Sequence, residues 1–160
     1  MKKIGIYGKS IPKENYKFIN NLVDCIRTEI NPKIYLHSKL DKIPDLFVDG
    51  KDATFDGYDL INLNVDLLIS FGGDGTLLDT VTMIKDSNIP ILGINAGRLG
   101  FLANITQEDI RSAVRAIKEK KYRIDKRTLV EIKNFHDLNV TNCNFALNEI
   151  TVHKKDSSSM

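Results

Sequence analysis

Apolar positions along the chain alternate between two periods. A short apolar run over Lys3–Tyr7, closed by Gly8, predicts a strand. Between residues 15 and 30, Phe18, Ile19, Leu22, Val23, Ile26 and Ile30 recur at helical spacing, which predicts a helix with one buried face, stopped before Pro32. Lys33–His37 alternates as a second strand. Residues 38–66 show no period, are rich in Asp and carry Pro44, Gly50 and Gly57, so they read as a loop with short pieces of structure. The compact run 67–71 suits a strand buried on both faces of a parallel sheet. A helix from about Thr76 should bury Leu77, Leu78, Val81 and Ile84. Another buried strand, 91–94, follows Pro90 and runs into a glycine-rich loop. Thr106 then reads as the N-cap of a further helix, with Asp109 in the capping-box position and Ile110, Ala113, Val114 and Ile117 as its apolar face.

Strand and helix thus alternate to about residue 121, the signature of an α/β fold: a parallel sheet flanked by helices, Rossmann-like, with right-handed crossovers. After Tyr122 the period falls to two. Residues 129–132 and 145–152 predict antiparallel strands, with Asp137-Leu138-Asn139 as a turn between them. The expected organisation is an α/β nucleotide-phosphate-binding domain over 1–122 and the first strands of a β-rich second domain over 123–160. That second domain ends at Met160 before it can bury a core of its own, so a truncated protein with unpaired strand edges is expected.

Composition narrows the class. With 42% hydrophobic and 28% charged residues the chain has the makings of an ordinary globular core. A formal net charge of +2 gives no case for nucleic acid or an anionic membrane. Bases crowd residues 111–133 (Arg111, Arg115, Lys118, Lys120, Lys121, Arg123, Lys126, Arg127, Lys133), either as a solvated helix face or as a lure for polyphosphate substrates. Cys25 and Cys143 fit no metal or redox spacing, and no leader or membrane-crossing run is present, which points to the cytoplasm.

The strongest chemical signal is Gly72-Gly73-Asp74-Gly75-Thr76, set between a buried strand and an amphipathic helix. Ligands of open α/β sheets bind just beyond the carboxyl ends of strands. The glycines let a phosphate approach without meeting a Cβ, and the helix start offers free N–H groups and a positive dipole end. A carboxylate in that place would repel a polyphosphate unless it accepts the proton of an attacking hydroxyl or holds Mg²⁺. The alternative is a plain Asp-Gly turn, although such turns usually join two strands rather than a strand and a helix.

A second loop, Gly93-Ile94-Asn95-Ala96-Gly97-Arg98-Leu99-Gly100-Phe101-Leu102, follows a buried strand and falls at the same sheet edge as Asp74 if the two strands are parallel neighbours. Phe101 reads either as a wall for a base or as core, and Arg98 either as a phosphate contact or as a solvated side chain. Asn148-Glu149 sits within an apolar strand pattern, where alternation would turn one of the two inward. The pair suits a ribose diol or an adenine edge, or else is an exposed polar pair. Gly8-Lys9-Ser10 resembles the end of a P-loop, but Gly5 stands too close to Gly8 for that motif, and the dinucleotide fingerprint after the first strand is absent. His37, His136 and His153 have no ligand spacing.

Taken together, residues 72–76, 93–102 and 148–149 resemble the NAD kinase family in content, order and approximate spacing. The first motif is shared with lipid kinases of the diacylglycerol and sphingosine type and is related to one in phosphofructokinases. The second is far more specific, and the Gly-Thr-x-Asn-Asp-Phe stretch of lipid kinases is missing. The resemblance implies transfer of a phosphoryl group from ATP or polyphosphate, with a divalent cation such as Mg²⁺, to the 2′-hydroxyl of the adenosine ribose of NAD. It implies Asp74 as the group that engages that hydroxyl and as general base. Gly72, Gly73, Gly75, Thr76 and Arg98 would lie at phosphate, and Gly75, Phe101, Asn148 and Glu149 at NAD. Asn95, Gly97, Leu99 and Gly100 belong to the second loop, and no direct metal ligand is expected. It further implies a homodimer or homotetramer as the intact protein. The family's later Thr-Pro-x-Gly-Ser/Thr-Thr-Ala-Tyr stretch is not in this chain, so the chain by itself is expected to be inactive. The rival expectations are a lipid kinase and a non-catalytic nucleotide-binding module.

Overall fold

A computed structural model describes residues 1–47, 50–57, 59–97, 100–133 and 144–151. The chain divides into two compact units, Met1–Ile124 and Asp125–Met160.

In the first unit the order is β1 (Lys3–Tyr7), α1 (Tyr16–Glu29), β2 (Lys33–His37), β3 (Ala53–Phe55), α2 (Asp59–Leu63), β4 (Leu67–Gly72), α3 (Asp74–Ile84), β5 (Ile91–Asn95) and α4 (Ile110–Lys118). All five strands are parallel, in the order β3-β2-β1-β4-β5. Alternation along each strand sends side chains to two cores. Ile4, Ile6, Ile34, Leu36, Leu67, Ile69 and Phe71 join α1 and α4 on one face. Tyr7, Tyr35 and Leu68 join Leu60 of α2 and Met83 and Ile84 of α3 on the other. The α1 stripe Phe18, Ile19, Leu22, Val23 and Ile26 is wholly buried, and each such side chain is worth roughly 1.5–3 kcal/mol of transfer free energy. The helix ends where Asn31 turns to a positive φ of 53° and its N–H, with that of Ile30, closes on the Ile26 carbonyl. Across the α1–α4 seam, Glu29 meets Lys118 and Arg115. The hydrogen bond and charge of Lys118 hold its carboxyl below the usual range.

The short pieces of structure expected within 38–66 are β3, which adds a fifth strand to the sheet, and α2, which covers its face. Both elements are too short, at three and five residues, to show a period. The helix expected from Thr76 begins two residues earlier, at Asp74, with Gly73 as its cap. Thr106 is not the N-cap of α4. Its hydroxyl and N–H donate to the Asp109 carboxylate, but these bonds close a turn, and the helix begins at Ile110 after Asp109.

Among its described residues the second unit holds one antiparallel pair, β6 (Val130–Glu131) with β7 (Phe145–Ala146). The strand expected over 145–152 stops at Ala146. Asn148 and Glu149 therefore lie outside it, and both are exposed rather than one facing inward. The expected turn at Asp137-Leu138-Asn139 lies outside the described residues. No helix among the described residues is long and apolar enough to cross a membrane.

Candidate functional site

The parallel pairing of β4 and β5 sets Gly72 opposite Asn95, so the loops after both strands leave the same sheet edge. Ala96 N–H donates to the Gly72 carbonyl at 3.3 Å, which joins the two loops at their roots.

Gly72 makes the first turn possible. Its φ of 154° disfavours a side chain, and a Cβ there would lie 2.4 Å from Thr76 Oγ1. The hydroxyl of Thr76 is thus tucked under the turn rather than aimed outward. Gly73 and Gly75 would carry a Cβ into open space, so nothing in the protein itself demands glycine there. Both are exposed, and a ligand that approaches the backbone closely would demand it. The N–H groups of Asp74 and Gly75, in the first turn of α3, have no intrahelical acceptor.

The second loop is stapled shut by Asn95, a buried side chain. Its Oδ1 accepts from Gly97 N–H at 2.8 Å, and its Nδ2 donates to the Ala103 carbonyl at 3.1 Å. Its own N–H donates to the Ile105 carbonyl at 2.7 Å. From α1's approach, Asn15 Nδ2 donates to the Ala96 carbonyl at 2.8 Å. A cleft of about 320 Å³ lies beside this root, lined in part by Asn15, Phe18, Asn95 and Glu108. It does not include Asp74.

The two loops meet at the Asp74 carboxylate. Its Oδ2 accepts from the N–H of Phe101 at 2.8 Å, and its Oδ1 accepts from those of Leu102 and Ala103, both at 2.9 Å. Gly100 passes so close that a Cβ on it would lie 2.3 Å from Oδ1. The three N–H donors, that of Ala103 foremost, hold the Asp74 carboxyl below the usual carboxylate range. A carboxylate offers about four lone-pair directions. Three are taken, and the one left is on Oδ2. This geometry suits a fourth donor, such as a hydroxyl, better than a cation, which would compete with three fixed N–H dipoles.

Asp74, Gly72, Gly73, Gly75, Thr76, Asn95, Gly97, Gly100 and Phe101 are therefore brought together at one sheet edge. Phe101 is not core: its side chain is 97% exposed while its N–H is bound to Asp74. Arg98 and Leu99 lie outside the described residues. Asn148 and Glu149 belong to the second unit, just past β7. Among the crowded bases, Arg115, Lys118, Lys121 and Arg127 already pair with acids, which favours the solvated-face reading for these four. His37 is buried and accepts from Lys39 N–H through Nδ1, a packed histidine rather than a ligand. Among the described residues no three His, Cys, Asp or Glu side chains group to hold a metal. The reading of the sequence missed Asn15 and the three amides of residues 101–103. Backbone donors have no side-chain signature, and Asn15 looks like any residue at a helix start.

Comparisons with known proteins agree with this fold. Residues 7–122 match the ATP-NAD kinase N-terminal domain. An NAD kinase of Flavobacterium psychrophilum is 49% identical over 164 aligned positions, covering 99% of this chain and 54% of that protein. An NAD kinase of Cytophaga hutchinsonii is 48% identical, covering 97% of this chain and 53% of that one. The chain thus spans about half the length of these relatives. In fold it is similar to yeast NADH kinase solved with NADH, with a TM-score of 0.67 at 20% identity over 82% of this chain and 42% of that one.

Proposed function

The chain belongs to the NAD kinase family, and from that premise we propose that it serves transfer of the γ-phosphoryl group of ATP, or the terminal phosphoryl of inorganic polyphosphate, to the 2′-hydroxyl of the adenosine ribose of NAD, giving NADP. The observation that carries this reading is the clipped Asp74 carboxylate with one lone pair of Oδ2 still open. The ribose hydroxyl donates to that lone pair, which fixes its oxygen for in-line attack on phosphorus. The new O–P bond forms as the bond to the ADP oxygen breaks, and the hydroxyl proton passes to Asp74 or to water. A carboxyl held below its ordinary pKa is a weak base. That is tolerable in a loose phosphoryl-transfer transition state, where positioning and charge neutralisation carry most of the acceleration.

The free N–H groups at the start of α3 and the bare backbone of Gly73 and Gly75 receive phosphate, joined by Arg98. Phe101 supplies an exposed aromatic face to the nucleotide, and Asn148 and Glu149 contact the NAD nucleoside. The divalent cation, Mg²⁺ or another, arrives on the phosphate oxygens of the donor as part of that substrate. The working assembly is a homodimer or homotetramer in the cytoplasm, and the 160 residues alone are inactive. The test joins this chain in register to the remainder of the Flavobacterium psychrophilum NAD kinase and offers the chimera NAD, a diacylglycerol and a sphingoid base with magnesium ATP. NADP alone should form. Phosphorylated lipid, or no product from a chimera that melts cooperatively, would sink the reading.

A further inference from the structure

The sheet changes its direction of growth between β1 and β4, for the chain builds β1, β2, β3 outward on one side and β4, β5 on the other. Ligands of open α/β sheets bind outside the carboxyl ends of the strands that flank such a reversal. One lip of that crevice is Gly72-Gly73-Asp74. The other is Gly8-Lys9-Ser10, the stretch whose glycine spacing excludes a P-loop. Wrong spacing rules out a backbone cradle, but it does not remove the lysine.

Lys9 is tied across the crevice to α3. Its Nζ lies 3.1 Å from Asp79 Oδ2, and its side chain is 61% exposed. The same Asp79 oxygen accepts from the Tyr7 hydroxyl at 3.1 Å. The Tyr7 ring is buried, edge-on to His37 with centroids 4.9 Å apart, and the Lys39 ammonium lies 5.6 Å from its centroid. Burial and then the Asp79 charge push the Tyr7 phenol well above its usual range, so it stays a donor. Gly8 packs closely against Ile11 and Leu40, since a Cβ on it would lie 2.8 Å from Ile11 Cδ1 and 3.2 Å from Leu40 Cδ2. Asp79, tied to the Tyr7 hydroxyl, is therefore a carboxylate that holds a solvent-facing ammonium from the loop after β1, whose register with β4 runs to Tyr7 opposite Ser70, two residues before Lys9 and Gly72 respectively. An ion pair this exposed is weak, and a ligand with several negative charges outcompetes one carboxylate for the lysine.

The geometry points to the β1–β4 crevice as the site for a linear polyphosphate chain, with Lys9 as its contact and Asp79 as the residue that holds Lys9 there and releases it on binding. This deepens the donor half of the kinase reading and rests on it for the identity of the ligand as donor. Calorimetric titration of inorganic tripolyphosphate and of ATP into the 160-residue chain at low ionic strength tests it. Lys9→Met should weaken both ligands at least about tenfold, as the loss of a charged contact does, while Lys9→Arg should largely keep them. Asp79→Asn should tighten both about two- to fivefold, because the competing charge is gone. Absence of tripolyphosphate binding, indifference to Lys9→Met, or weakening by Asp79→Asn would overturn the proposal. In the chimera, Lys9→Met should raise the KM for ATP and leave that for NAD unchanged; a rise in both would assign Lys9 a structural role instead. If the chimera makes no NADP while tripolyphosphate binding still depends on Lys9, the kinase reading fails and the crevice stands.

Discussion

Gly100→Ala tests the clip between the two loops without touching any of its hydrogen-bonding groups. The new Cβ would lie 2.3, 2.6 and 2.8 Å from Oδ1, Cγ and Oδ2 of Asp74. Ordinary contact begins at 3.4 Å, so one partner must retreat by about 1 Å. The carboxylate cannot do so alone, because it is held by the N–H groups of residues 101, 102 and 103 at 2.8–2.9 Å. A retreat of about 1 Å carries such bonds past 3.6 Å, where they cease to count as hydrogen bonds. Overpacking of this kind costs about 1–3 kcal/mol. At about 1.4 kcal/mol per factor of ten, exchange protection at these three amides should fall roughly fivefold to a hundredfold or more. Amide hydrogen exchange followed by NMR on the 160-residue chain reads this directly. Gly97→Ala is the control, since a Cβ there meets nothing within 4 Å. Protection in Gly100→Ala equal to that in Gly97→Ala would refute the reasoning.

Phe101 and two carboxyls held by backbone amides carry two further predictions. Phe101→Ala should leave the melting temperature unchanged, because the side chain is 97% exposed. It should raise the KM of the chimera for NAD about two- to tenfold, the scale of one aromatic contact; an unchanged KM would remove Phe101 from the pocket. Asp74 and Asp66 are both held below the ordinary carboxylate value by backbone N–H donors, those of Lys2 and Lys3 in the case of Asp66. For a depressed folded pKa, the stabilisation is complete above the unfolded value of about 3.9 and is lost as pH falls through the folded one. Carboxyl carbon titration should therefore place both midpoints below about 3.9, and a midpoint at or above it for Asp74 would contradict the three-donor clip.

Much of the fold was legible because the large elements carry a strong period. The α1 stripe, the runs at β1, β2, β4 and β5, and the apolar face of α4 all stand where the spacing puts them. What escaped was short or local. β3 and α2 are stabilised by the sheet they join rather than by propensity, and no period forms in so few residues. The start of α4 was misplaced because Thr106 and Asp109 do bond to one another, but in a turn, and a capping-box pattern cannot tell the two apart. At the site, the glycines and Asp74 were readable from residue type. The partners of Asp74 were not, since they are main-chain amides supplied by a loop 27 residues downstream. The exposure of Phe101 was likewise invisible, because an aromatic after a strand is usually buried.

Asp74→Asn in the chimera tests the central claim most directly. A carboxamide can present its oxygen to Leu102 and Ala103, but its NH₂ then faces the Phe101 N–H and offers no acceptor to a ribose hydroxyl. With magnesium ATP and NAD saturating, NADP formation should fall by about 10²–10⁴-fold while the chimera still melts cooperatively. Turnover within a few fold of the parent chimera would show that this carboxylate does not engage the reacting hydroxyl.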